Sequence, residues 1–510
     1  MPTEIPTEPR PAPPHALIHR AVAARARACP EATALVHGDE HISYRTLDHA
    51  ADTYAEELQR HGVRAGDLVP VVLPRGPRLI ALLLAVLKCG AGYAALERGL
   101  PEGRSSLLVR QLGATLAIGE LPSRPGLRLV TPQVETLSTA AARRTAAVDT
   151  DVPPTSTATV FFTSGTTGPP KAVLSPHRAT TRLFTAQEPL AGLAPGAVMG
   201  QCAPVAWDAF SLEVWGPLTT GATCVPAPTD LLMPDDLRDL ITLHGVDTMW
   251  LTSSVFNLFV DEDPDVFAGL RLLMTGGEAL SPRHVRTFLT RHPGITLLNG
   301  YGPVENCVFA TTHRIRPADC DLPTGIPLGR PVPGTGIHLL DGEICLSGTG
   351  LATAYLADPE ATADRFTTAP TADGPRRVYR TGDRGSRDES GLLHFHGRAD
   401  RQLKIAGHRV EPAGIETTAR AVPGIRDCAV VPRSRPGTPP DRLALFYVPH
   451  PGVTLPPAGL RQILAAKLPP PSVPSELRPL PALPLTANGK VDHRALKALP
   501  SRHPSPRSMP

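Results

Sequence analysis

At 510 residues the chain exceeds the usual single-domain size, so a large body with its own core and at least one further unit is expected. Its formal net charge of +3 is close to neutral for that length, and no basic stripe interleaved with aromatics occurs, which excludes the electrostatic footprint of a nucleic-acid partner. The eight cysteines (Cys29, Cys89, Cys202, Cys224, Cys307, Cys320, Cys345, Cys428) never form a Cys-x-x-Cys pair and read as buried thiols of a reduced cytoplasmic protein, not as a disulfide frame or zinc site.

In chain order, the start Met1-Pro-Thr-Glu-Ile-Pro lacks a charged-then-apolar signal pattern, and residues 1–14 read as a disordered N-terminus. Apolar β-rich runs such as Leu68-Val-Pro-Val-Val-Leu73 then alternate with helical stretches such as Arg78 to Lys88, which predicts an α/β body with largely parallel sheets. The longest apolar run, Ile80 to Leu87, is far below the ~20 residues of a membrane span, so no membrane partner is expected. Gly334 to Leu346 switches to shorter strand-like runs with glycine turns, the pattern of a small β-rich subdomain. A boundary near Gly397-Arg398-Ala399-Asp400 gives a large N-terminal domain over 15–399 and a small C-terminal domain over 400–498, with a disordered tail at 499–510. Near the end, Leu468-Pro-Pro-Pro-Ser-Val-Pro474 and Leu480-Pro-Ala-Leu-Pro-Leu485 predict extended backbone, a strap carrying Lys490 toward the large domain.

Thr163-Ser-Gly-Thr-Thr-Gly-Pro-Pro-Lys-Ala-Val173, after the apolar run Thr159-Val-Phe-Phe162, carries the most chemical information. Small and hydroxylated residues ahead of Lys171 let backbone N–H groups and hydroxyls converge on an anion that larger side chains would exclude. A Walker loop ends in Gly-Lys-Ser/Thr, whereas Gly168-Pro-Pro-Lys171-Ala172 does not, and its two prolines forbid the Walker helix. A Ser/Thr/Gly surface turn is the plain alternative. The chain has six lysines against 45 arginines, and four of the six, Lys88, Lys171, Lys404 and Lys490, lie in motif-like segments, suggesting a need for a compact ammonium there. Lys467 and Lys497 read as helix-surface charges.

The 163–173 loop resembles the phosphate-binding signature of the adenylate-forming enzymes: acyl-CoA ligases, luciferases and the adenylation domains of nonribosomal peptide synthetases. Further matches run in the family's order from Ser43-Tyr-Arg-Thr-Leu47 through Leu87-Lys-Cys-Gly-Ala-Gly-Tyr93, Asn299-Gly-Tyr-Gly-Pro-Val-Glu305, Gly342-Glu-Ile-Cys-Leu-Ser-Gly348, Tyr379-Arg-Thr-Gly-Asp383 and Gly397-Arg-Ala-Asp-Arg-Gln-Leu-Lys404 to Asn488-Gly-Lys-Val-Asp492. The wording is closest to the peptide-synthetase domains. With 20 residues after Lys490 and no condensation domain before Ser43, the resemblance implies a free-standing enzyme whose acyl acceptor is a separate phosphopantetheinylated carrier protein or a small molecule. A small auxiliary protein that stimulates adenylation is a further candidate partner.

The resemblance implies ATP and Mg²⁺ as cofactors, and a fold with a large multi-sheet α/β domain, a small β-rich subdomain and a mobile α+β C-terminal domain hinged at Asp400. Joining a carboxylate to the α-phosphate of ATP brings anions together, so positioning and charge neutralisation dominate. Thr163, Ser164, Gly165, Thr166, Thr167, Gly168 and Lys171 match residues that hold the outgoing phosphates, and Glu305 the carboxylate that reaches Mg²⁺. Asn299 and Tyr301 match positions on adenine, with a core aromatic as the alternative for Tyr301. Asp383 matches the acid on the ribose hydroxyls, a turn aspartate being its alternative, and Arg398 a nucleotide contact. Gly277, Glu278, Gly302, Phe395 and Lys404 fall in the same nucleotide-binding set. Lys490 would bridge the substrate carboxylate and α-phosphate, with a solvated loop lysine as the alternative.

Asp208, in Trp207-Asp-Ala-Phe-Ser-Leu-Glu-Val-Trp215, matches the aspartate that pairs with a substrate α-ammonium; otherwise it caps a helix beginning near Phe210. The remaining pocket positions map to Ala209, Leu212, Leu251, Met274, Gly276, Gly300, Val308 and Phe309. None is charged, so a hydrophobic side chain is expected, and the two glycines leave room for a branched aliphatic or an aromatic one. Val304 in place of threonine, Thr353-Ala354 in place of Arg-Gly, Arg384 in place of leucine and Ala406 in place of arginine depart from the family pattern. These keep open a degenerate non-catalytic homologue beside the runner-up, an acid–CoA ligase.

Overall fold

The computed structural model describes residues 16–122, 125–130, 136–143, 146–163, 170–184, 190, 192–372, 374–398, 403–405, 408–434, 440–484 and 491–500. The chain divides into two compact units, the first running to Thr163 and from Lys171 to Ala399, the second containing the chain from Asp400 onward. Residues 1–14, Asp400, Ala406 and most of the 499–510 tail lie outside the described residues.

Two mainly parallel sheets form the body of the first unit. Among the described residues one has six strands, ordered Arg128–Val130, Leu116–Gly119, Leu68–Val72, Gly92–Ala95, Thr157–Thr163 and Lys171–Pro176, with only the last pair antiparallel. The other has nine, with a parallel centre ordered Thr33–His37, Thr223–Pro226, Val198–Gln201, Thr248–Thr252, Leu272–Gly276 and Thr296–Tyr301, and antiparallel strands at both edges. Crossover helices bury both faces of such sheets, which is why their strands read as apolar runs and not as alternations. Leu68–Val72 is buried at four of its five positions, and the helix Pro77–Lys88 that follows is buried from Leu79 onward.

The helix Asp208–Thr220 is buried from Ala209 through Thr220. A helix apolar on every side belongs in a core, and here it ties the sheets together, since Trp215 Nε1 donates to the Tyr93 hydroxyl at 2.7 Å. Lys88 serves the same core. Its ammonium donates to Asp52 Oδ1 at 2.6 Å and lies 2.7 Å from Asp48 Oδ1, both on the helix Tyr44–Arg60. This motif lysine is a buried strut.

The β-rich subdomain is an antiparallel sheet of Thr335–Leu340, Glu343–Gly348, Gly374–Arg387, Phe366–Thr371 and Leu393–Arg398. Its first hairpin turns on Asp341-Gly342, with φ of 51° and 78°, as a two-residue turn requires.

The second unit carries a three-stranded sheet of Ile425–Arg433, Arg442–Pro449 and Glu476–Pro479 and a separate hairpin, Leu403–Ile405 with His408–Val410. Alternation along Ile425–Arg433 sends Cys428 and Val430 into one core with Ile415 and Leu460, and Ala429 and Val431 into another with Phe446 and Leu496. The proline-rich stretch 468–474 is not wholly extended: Pro470–Ser472 winds into a single 3-10 turn, because proline's φ near −65° suits both conformations. Lys467 follows the helix Pro457–Ala465, while Lys497 lies exposed within His493–Ala498.

All eight cysteines are free, and six are buried. Cys202 is half-buried, and Cys29 is exposed because it closes the helix Ile18–Ala28. Among the described residues no helix is long and apolar enough to cross a membrane.

Candidate active site

In an open parallel sheet, ligand sites form beyond the carboxyl ends of the strands. Gly276 and Tyr301 end two adjacent strands of the nine-stranded sheet, and Asp208 begins the helix that follows Val198–Gln201. The predicted residues therefore converge from segments far apart in sequence.

Among the residues expected to contact a nucleotide, the Tyr301 hydroxyl donates to Asp383 Oδ2 at 2.6 Å. Arg398 donates to Asp383 Oδ1 and, at 3.0 Å, to the Thr381 carbonyl. Burial, reinforced by the Asp383 carboxylate, pushes the Tyr301 phenol well above its ordinary value, so it stays a donor. Each Asp383 oxygen keeps a further lone pair for a hydroxyl ligand. The backbone N–H of Asp383 donates to Thr381 Oγ1, so its carboxylate is not spent capping its own turn. Asn299 donates to the Pro327 carbonyl at 2.8 Å. Glu278 accepts from Ser254 Oγ at 2.6 Å, and Gly277 before it sits at φ 84°. A Cβ on Gly302 would lie 2.3 Å from the Val308 carbonyl oxygen, so glycine lets the two segments close up. Phe395 packs, partly buried, against the core cluster that contains Val308 and Phe309.

Thr163 and Lys171 pair directly across the antiparallel strands that flank the glycine-rich loop. Ser164, Gly165, Thr166, Thr167 and Gly168 lie outside the described residues, as do Lys490 and the side chain of Lys404. Lys171 Nζ stands 4.9 Å from the centroid of the Tyr355 ring, and the Tyr355 hydroxyl donates to Glu305 Oε1 at 2.7 Å. Glu305 is fully buried. Among the described residues no group of three His, Cys, Asp or Glu side chains could hold a metal on its own. Glu305 supplies a hard carboxylate oxygen, which suits a Mg²⁺ that takes its other positions from phosphate and water. Tyr355, which orders that carboxylate, was not singled out in the sequence.

On the other side, Asp208 is not the cap of its helix; Trp207 holds that position and Asp208 is the first helical residue. Its Oδ2 instead accepts the Val308 backbone N–H at 3.0 Å, across 100 residues. Ala209, Leu212, Met274, Val308 and Phe309 share one core cluster. Leu251 does not join them. In the parallel register Trp250 pairs with Met274 and Leu251 with Thr275, so Leu251 points to the opposite face and packs with Phe256 and Phe259. The residue on the Met274 face is Trp250, whose ring lies 5.2 Å from that of Phe309. A period-two count from Met274 and Gly276 identifies it, whereas gapped matching loses the parity.

The two glycines also differ from expectation. A Cβ on Gly300 would fall 2.3 Å from Phe309 Cε1, and one on Gly276 would fall 2.0 Å from the Gly300 carbonyl oxygen and 3.1 Å from Trp250 Cη2. The missing side chain at Gly300 admits the Phe309 ring, and that at Gly276 admits the Gly300 carbonyl, with Trp250 beside it. The turn that presents Phe309 is strained, with Cys307 at φ 46° and Val308 at φ 65°. Such conformations cost of order 1–3 kcal/mol each for residues other than glycine, and more for a β-branched one, so neighbouring contacts must hold them.

Residues 22–356 match the AMP-binding enzyme family and residues 414–490 the AMP-binding enzyme C-terminal domain. The chain is 36% identical over 495 residues to a linear gramicidin synthase of Brevibacillus parabrevis, covering 94% of this chain and 6% of that protein. It resembles the structure of holo-PA1221, an NRPS protein containing adenylation and PCP domains, with a TM-score of 0.85 and 34% identity over 94% of this chain and 84% of that one. An artificially fused adenylation–PCP di-domain from Klebsiella oxytoca, NpsA-ThdA, gives a TM-score of 0.80 at 26% identity, covering 90% and 93%. The chain belongs to the AMP-binding enzyme family and is similar to portions of nonribosomal peptide synthetases. It spans a small part of the curated relatives' own length.

Proposed function

We propose that the chain activates a branched aliphatic amino acid with ATP and passes it to a carrier protein. The observation that carries this reading is the pairing of Asp208, a carboxylate for an α-ammonium, with an apolar wall in which the Phe309 ring takes the space over Gly300 and the Trp250 ring lies beside it. A charged or amide side chain would lose its hydration there without compensation, and a large aromatic one would compete with the rings already present.

In the first step a substrate carboxylate oxygen attacks the α-phosphorus, the bond to the bridging oxygen breaks, and pyrophosphate leaves with that electron pair, yielding aminoacyl-AMP. Lys490 is assigned the charge that shifts between carboxylate and phosphate, and Lys171, Thr163 and the 164–168 loop the outgoing phosphates. Asp383 and Arg398 serve the ribose side, and Asn299 and Tyr301 the adenine side. Glu305, ordered by Tyr355, would hold a Mg²⁺ that neutralises phosphate charge when bound. In the second step the phosphopantetheine thiol of a carrier attacks the acyl carbon, AMP leaves, and the thiol proton passes to solvent; Asp400 is the proposed hinge between the steps. Carrier loading is supported by the similarity to adenylation–PCP structures.

Amino-acid-dependent exchange of pyrophosphate into ATP, run across all common amino acids, tests the reading. Branched aliphatic residues should lead, with aspartate, glutamate, lysine and arginine at least about tenfold lower, given about 1–3 kcal/mol for each buried polar atom left unpaired. A charged preferred substrate, or deaminated acids activated as well as amino acids and transferred to coenzyme A, would overturn it.

A further inference from the structure

Arg182 is 5% exposed, and its guanidinium donates to neutral oxygens. Nη2 donates to the carbonyls of Asn306 at 2.8 Å and Phe309 at 2.6 Å, Nη1 to those of Cys307 at 3.4 Å and of Ala179, and Nε to Thr335 Oγ1 at 3.4 Å. Three of these carbonyls belong to the four-residue turn 306–309, the turn with left-handed Cys307 and Val308. Five donors in a fixed planar fork can collect carbonyls that diverge in this way, which an ammonium cannot. A second observation is independent of the hydrogen bonds. Gly350 leaves the guanidinium its seat, since a Cβ there would stand 2.5 Å from Arg182 Cζ and 2.6 Å from Nε. Burial lowers the guanidinium to about 10, so it stays cationic at neutral pH.

We infer that Arg182, seated on Gly350, is a positioning residue for amino-acid selectivity: it fixes the strained 306–309 turn, and through it the Val308 N–H that engages Asp208 and the Phe309 ring that fills the space over Gly300. The inference rests on the amino-acid pocket proposed above. Arg182 touches neither substrate nor nucleotide in this assignment, so its loss should act on one subsite. A carboxylate held by the Val308 N–H and a ring held at a fixed depth together set how the α-ammonium and the side chain are measured.

The experiment compares Arg182→Lys and Gly350→Ala with the wild-type full chain in pyrophosphate exchange. For each protein, KM and kcat are measured for the best amino acid and for ATP, along with the ranking across the amino-acid panel and the thermal midpoint. Arg182→Lys should raise the amino-acid KM about tenfold, the scale of one lost charge-assisted hydrogen bond, and flatten the ranking, with the KM for ATP within about twofold. Gly350→Ala, whose added Cβ would meet both the guanidinium and, at 2.6 Å, Asn306 Oδ1 of the turn it holds, should shift the same parameters in the same direction. Equal losses for both substrates, an unchanged ranking, or activity that merely follows the folded fraction would overturn the inference. So would failure of both variants to fold, since Arg182 would then hold the domain and not the turn. If the wild-type chain exchanges with no amino acid, the reading of its function has failed instead.

Discussion

Lys88 and Lys171 are both motif lysines in a chain with only six, yet one cements a core and the other stands where phosphate chemistry is proposed. Lys88 is 3% exposed and lies between two carboxylates on the helix Tyr44–Arg60. Lys171, which follows the glycine-rich loop in sequence, stands over a tyrosine that also orders the buried Glu305 carboxylate. A scarce residue type marks a constraint, and only the partners say whether that constraint concerns folding or reaction.

The largest effects should come from breaking that pair of lysines. Lys88→Met leaves Asp48 and Asp52 without their cation and should cost about 3–5 kcal/mol in denaturant unfolding, with activity per folded molecule retained. Burial already raises the Asp52 carboxyl, against the pull of Lys88. Without Lys88 its proton is held more readily, so the deficit should shrink as pH falls toward 5. Lys171→Met should do the reverse, lowering pyrophosphate exchange by about 10²-fold or more at an unchanged thermal midpoint. Loss of stability in the second variant and not in the first would invert the comparison.

Glu213, on the same helix as Asp208, sharpens the contrast at intermediate scale. It is fully buried and accepts the backbone N–H groups of Cys202 and Ala203 at 3.0 and 2.7 Å. Burial pushes its carboxyl from 4.5 up to about 7. A raised acid favours the protonated folded state, so its contribution is full below about 4.5 and is lost as pH rises through about 7. Glu213→Gln keeps a neutral acceptor for both amides. Urea midpoints should match the wild type near pH 5 and exceed it at pH 8, by up to about 3 kcal/mol for a shift of this order. Equal pH slopes in the two proteins would refute the assignment.

The smallest effect concerns Val304, part-buried in the turn that leads into Glu305. Val304→Thr restores the hydroxyl that the family carries, and adenylation should hold or improve by up to about 1 kcal/mol in kcat/KM. A severe loss would show that the turn is arranged for an apolar side chain.

The parallel sheets, the antiparallel subdomain and the ordering of site segments were legible because apolar runs, glycine turns and motif order are local signals. Asp208, Glu305, Tyr301 and Asp383 were proposed from short motifs for the same reason, and the structure pairs Tyr301 with Asp383. Trp250 was missed in favour of Leu251 because matching with gaps loses the parity of a strand, and a one-residue slip exchanges the faces. Gly276 and Gly300 were read as space, since a sequence shows a missing side chain but not what enters its place. Arg182 left no local trace: its partners on the 306–309 turn lie 124 to 127 residues away.

The short run from Val304 to Phe309 holds Glu305 near one end and the Val308 and Phe309 wall at the other. In the proposed assignment, recognition and phosphate chemistry are therefore linked by a few backbone bonds, and that linkage limits redesign. A graft that trades Val308 or Phe309 for a different substrate also tugs on the carboxylate behind them. New specificity obtained by swapping those two residues alone should arrive with slower turnover, and transplanting the whole hexapeptide together with Arg182 and Gly350 is the less disruptive route.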